Sequence, residues 1–203
     1  MLIARIIMPL AVLIYFRRRG DYPEIRLACS LWTVADVMIG VLLAVVWMAP
    51  FIVFPSLQPE GAAESVLAKD GNAWWTLVSL RMIGFAVVTP WMEELFMRSF
   101  LMRQIDVIDT GDDFRTVPLA RFTWRSFIAV TIFFLATHQS WEWCVMLPWA
   151  ILTNLWVYYR KDLFGLIVVH AATNAAILLA TVWLNDAFMD TDGQVMSLDF
   201  FVF

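Results

Sequence analysis

Histidine and cysteine are scarce, with two of each in 203 residues. Cys29 and Cys144 fall near opposite membrane faces in the topology derived below. A separation on the order of a bilayer thickness excludes a disulfide between them, so both read as packing residues. Charged residues make up only 16% of the chain, with a net charge of −4. No basic patch interleaved with aromatics occurs, which argues against a nucleic-acid partner. Internal repeats, low-complexity tracts and Gly/Ser linkers are missing. The first apolar run lacks the basic leader and small-residue cleavage site of a signal peptide. The HExxH zincin pattern is absent, as is the Glu-x-x-His pair of di-iron bundles. No soluble stretch is long enough to fold separately, so residues 1–203 read as a single membrane domain.

What the chain has instead is apolar surface. The hydrophobic set reaches 62%, with eleven tryptophans, and the mean hydropathy is +0.74. These values exceed those of soluble domains, and tryptophan suits interfacial anchoring. Six candidate spans emerge, Met1–Phe16, Leu31–Phe54, Trp74–Met102, Phe122–His138, Trp143–Tyr159 and Leu163–Leu184. The expected fold is all-α, a polytopic membrane helix bundle of about six transmembrane helices. Arg17, Arg18, Arg19 and Arg26 follow the first span, Arg103, Arg115, Arg121 and Arg125 the third, and Arg160 and Lys161 the fifth; Lys69 stands alone on the opposite face. By the positive-inside rule both termini are then non-cytoplasmic in a multi-pass protein of a membrane such as the bacterial cytoplasmic membrane. Ser56–Ala73 reads as an external loop, Ile105–Arg121 as a cytoplasmic one. The acidic tail Asn185–Phe203 is too short to span and is expected to lie on the interface or pack on the bundle.

The third span holds Thr89-Pro-Trp-Met-Glu-Glu-Leu-Phe-Met-Arg98. Glu94 and Arg98 share a helical face, whereas Glu93 points about 100° away and lacks that partner. Pro90 predicts a kink or break, with Thr89 able to cap a new half-helix. Counting about 1.5 Å per residue, Glu93 lies roughly 15 Å from the edge at Arg103, and His138 and Asn174 roughly 20 Å from Arg125 and Lys161. His170 lies at roughly 13 Å by the same count. Groups from three helices thus reach one depth, while Arg98 falls near the inner interface, as does Asp36. Phe134 reads as packing and Glu142 as a cap for the fifth span.

Such a set supports water activation. Glu93 is the candidate general base, with a histidine and Asn174 as donors to a tetrahedral oxyanion. Alternatively Glu93, His138 and His170 form a His₂Glu site for Zn²⁺ with a position left for water. A singly placed histidine or asparagine could equally be interhelical glue.

Glu93-Glu94-x-x-x-Arg98, Phe134-x-x-x-His138 and His170-x-x-x-Asn174, in that order on successive spans, resemble the CPBP family of intramembrane proteases, similar to type II CAAX prenyl endopeptidases. The likeness covers a four-helix motif-bearing core, residues 74–184. Phe114–Trp124 also resembles the subset linked to bacterial exosortase sorting systems. The resemblance implies an intramembrane endopeptidase acting on a protein or peptide at the lipid membrane. Glu93 would activate water, Glu94 would be its neighbour held by Arg98, and His138, His170 and Asn174 would complete the catalytic site. Family members are often described as metalloproteases. Ser99 stands where glycine is common and Leu135 where glycine is frequent, either of which would tighten helix packing. A non-catalytic binding or immunity-type scaffold and a proton-coupled transporter are the other readings. Oligomeric state and substrate are not given by the residues.

Overall fold

The computed structural model describes residues 2–60, 71–185, 187–189, 193 and 195–203. Lys69 and most of the expected external loop lie outside the described residues. The long apolar runs form six helices, α1 Leu2–Arg19, α2 Leu31–Val53, α3 Gly71–Val107, α4 Trp124–Thr137, α5 Trp143–Arg160 and α6 Leu163–Trp183. No named strand occurs among the described residues, only an isolated bridge between Met189 and Val195. Starts are capped by side chains that satisfy free backbone N–H groups: Ser30 for α2, Thr123 for α4 and Asp162 for α6. The helix α5 ends where Lys161 takes a left-handed backbone conformation.

By length and composition α2, α3 and α6 can each cross a membrane. The helix α4 has 14 residues, about 21 Å against a hydrocarbon core of about 30 Å. It stops short, and the turn that follows, Gln139–Glu142, begins below full depth. This shortfall leaves room for a cavity between α4, α3 and α6.

The expected break at Pro90 does not occur. The helix α3 runs unbroken from Gly71 to Val107, with two π-helical stretches, Met82–Val88 and Leu95–Leu101. Proline clashes with the carbonyl four residues back, and widening the preceding turn to a five-residue repeat relieves that clash. Thr89 is helical and caps nothing; the residue before it makes no side-chain cap.

The core is wider than the four motif-bearing helices. Leu43, Trp47, Met48 and Phe51 of α2 join Val130, Phe134, Trp149 and Leu166 in one cluster. Helices α2 and α6 make the closest approach, at Gly40. A Cβ there would sit 2.4 Å from the Val169 carbonyl oxygen and 2.6 Å from the Ala172 Cβ. Thr173 also donates to the Gly40 carbonyl at 3.0 Å. Glycine is therefore required for α6, which carries His170 and Asn174, to seat against α2.

Asp36, near the inner end of α2, is only 1% exposed, held by the Trp156 indole at 2.9 Å and Arg160 at 3.4 Å. Two other expectations are corrected by the packing. Cys29 and Cys144 are exposed rather than packed. Ser99, in place of glycine, uses its hydroxyl: it bonds the Glu24 carboxylate and accepts from Arg103 at 2.6 Å. That cluster ties the segment after α1 to α3, and Arg103 is buried rather than in a loop. The tail packs on the bundle: Met196 and Leu198 are buried, and Phe201 packs edge-on to Phe51.

Candidate active site

Each motif residue can be traced to the element that aims it. Glu94 and Arg98, four apart on α3, meet at 3.2 Å with both side chains fully buried. Arg98 is buried inside the protein. Its guanidinium lies 4.1 Å from the Phe134 ring centroid and donates to Thr153 Oγ1 at 2.8 Å. An unpaired buried charge would cost several kcal/mol, so the pair and its aromatic and hydroxyl contacts stand together. Phe134 packs as expected, and its ring also covers this cation.

The other Glu94 contact is with His170. Nδ1–H of His170 donates to Glu94 Oε1 at 2.8 Å. Because a carboxylate only accepts, this bond fixes the ring so that Nε2 carries the lone pair. Nε2 faces Glu93 Oε2 at 3.8 Å. That is too long for a direct hydrogen bond and suits a shared water. Trp149 packs edge-on to the imidazole with ring centroids 4.7 Å apart.

His138 ends α4 as its C-cap, with extended backbone, instead of continuing the helix. Its Nδ1 donates to the Phe134 carbonyl at 2.8 Å, which again leaves Nε2 as the open nitrogen.

Asn174 is placed by Pro90. In the π-helical register the amide of Thr89 bonds the Gly84 carbonyl, so the Phe85 carbonyl would look to residue 90. Proline has no N–H to give. The Asn174 Nδ2 fills that vacancy, donating to Phe85 O at 2.8 Å. One hydrogen of the amide is then held and the second is left to donate elsewhere.

Glu93, His138, His170 and Asn174 line one cavity of about 130 Å³. The Glu93 side chain is one-third exposed into it, whereas Glu94 and Arg98 lie behind its wall. Five residues thus come together, with Glu94 acting through His170 rather than touching the cavity. Sequence reasoning missed Trp149 and Thr153, one face of α5, which buttress His170 and Arg98; their four-residue spacing opposite the motif helices was the available signal. It also placed Glu142 only as a cap. Glu142 makes no side-chain cap for α5; its carboxylate accepts from the Gln139 amide at 2.9 Å in the turn before that helix, and it lines the cavity.

The expected zinc ligands do not converge. Among the described residues no group of three His, Cys, Asp or Glu side chains could hold a metal ion. As arranged, these residues do not fit a His₂Glu zinc site.

The bundle, with three helices long and apolar enough to cross a membrane, gathers a carboxylate and two imidazoles around one cavity. The family model of the Rce1-like type II CAAX prenyl endopeptidases matches residues 73–176, half of the chain, and spans all three motifs. The chain belongs to the Rce1-like family, and protease activity of the CAAX type is what that membership implies. No curated protein and no solved structure gives a significant match.

Proposed function

We propose that the protein hydrolyses a peptide bond of a membrane-associated protein or peptide, with Glu93 activating the water and no metal taking part. The observation that supports this most is the pairing of an exposed carboxylate with a fixed imidazole across 3.8 Å, in a cavity large enough for a peptide group. A water between Glu93 and His170 Nε2 attacks the carbonyl carbon while Glu93 takes its proton. The second N–H of Asn174 donates to the developing oxyanion. The C–N bond breaks as the proton passes from Glu93 to the leaving amine. His170 orients that water and is itself oriented by Glu94.

The experiment is cleavage of a membrane-spanning peptide by purified protein in lipid nanodiscs. Glu93→Gln keeps the shape and removes the base, and cleavage should fall by about 10²–10⁴-fold with the thermal unfolding midpoint unchanged. Full activity in that variant refutes the assignment. The immunity-type scaffold is the reading left standing if wild type and Glu93→Gln complement a deletion equally. Proton-coupled uptake into proteoliposomes would favour the transporter.

A further inference from the structure

The cavity holds more carboxylate than hydrolysis uses. Glu142, in the turn between α4 and α5, lines it together with Glu93. One Glu142 oxygen accepts from the Gln139 amide at 2.9 Å. Aromatic side chains share the wall with the two acids: Trp47 of α2, Phe85 of α3, Trp149 of α5 and Phe201 of the tail. Among the described residues no lysine or arginine lines it. Arg98 lies behind Phe134, its charge matched by Glu94. Aromatic faces are electron-rich and attract a cation, most strongly where water is displaced. A charged side chain entering the same space would meet two carboxylates and no lysine or arginine on the wall.

We infer that this cavity is a specificity subsite for a basic side chain, a substrate lysine or arginine beside the bond that is cut, with Glu142 as the residue that reads the charge. The inference rests on the peptidase reading for its substrate but not for its test. The apolar stem of the basic residue would run along Phe201 and Trp47, and its head would reach Glu142. Glu142 plays no part in activating water, so charge recognition and hydrolysis are separable.

The probe is a pair of labelled membrane-spanning peptides, identical except for lysine or norleucine at the central position. Their central amides are N-methylated so that they bind without being cut. Binding to the protein in neutral-lipid nanodiscs should favour lysine by about tenfold. Glu142→Gln, which can still accept from Gln139, should bring the two affinities within about twofold, while norleucine binding stays unchanged as the folding control. Phe201→Leu should reduce the preference without touching any charge, and Glu142→Asp should retain part of it. Equal binding of both peptides to wild type overturns the inference. So does a lysine preference that survives Glu142→Gln in full. If the preference is present but the unmethylated peptides are never cut, the subsite stands and the peptidase reading falls.

Discussion

His170 is held between two glutamates that do different things: Nδ1–H is given to Glu94 at 2.8 Å, and Nε2 faces Glu93 at 3.8 Å. Adjacent residues on one helix thus act on opposite sides of a single ring. Glu94 is a positioning residue, fully buried and anchored by Arg98. Glu94→Leu would remove the acceptor that selects the Nδ1–H form. Nitrogen NMR of labelled His170 should show the other tautomer gaining population, and kcat should fall with KM little changed. An unchanged tautomer would refute the positioning role.

Arg98 has no access to water, so truncating it leaves Glu94 as an uncompensated buried charge. Arg98→Met should cost about 3–5 kcal/mol, read as the loss of thermal stability in detergent micelles. Glu94→Gln combined with Arg98→Met should recover much of that loss, because neither charge remains. Failure of the double variant to recover would mean that Arg98 contributes mainly by packing on Phe134 and bonding Thr153.

Pro90 offers a test in which stability and activity part company. Alanine at that position restores an N–H that competes with Asn174 for the Phe85 carbonyl. Pro90→Ala should keep or raise the unfolding temperature and lower kcat by about tenfold or more, since the Asn174 amide loses its anchor. Equal loss of both would point to a broken helix instead.

The helices are legible in the residues because apolar runs bounded by arginine, proline and capping side chains leave few choices. The spans Leu31–Phe54 and Leu163–Leu184 differ from α2 and α6 by one residue each. The burial of Arg98 is not legible. Depth counted from Arg103 assumes a membrane edge there, yet Glu24 and Ser99 bury Arg103 and α3 continues to Val107. The Asn174–Phe85 bond is hidden for another reason. A widened turn leaves no mark in hydrophobic periodicity, and Pro90 signals only that something must yield. The meeting of Glu93 with His170 is legible because three motifs at one depth leave little other space for them.

Gly40 carries the fourth test. Gly40→Ala puts a methyl group into the Val169 carbonyl and Ala172, and α6 must retreat from α2. The expected cost is about 1–3 kcal/mol in stability. A drop in kcat should accompany it, because His170 and Asn174 move with α6 while Glu93 stays on α3. Ala172→Gly in the same chain should restore part of both, and full activity in Gly40→Ala alone would refute the close fit.

The 14 residues of α4 set a condition on the surrounding lipid as well as on the protein. Acyl chains beside that helix meet an apolar face about 9 Å shorter than their own span, and they must compress or tilt to meet it. Bilayer thickness then becomes a control on access: thin lipids should relax onto the helix and open the rim near His138, and thick ones should crowd it. A peptide backbone approaching from that side would lose less of its hydration than at any full-length helix of the bundle.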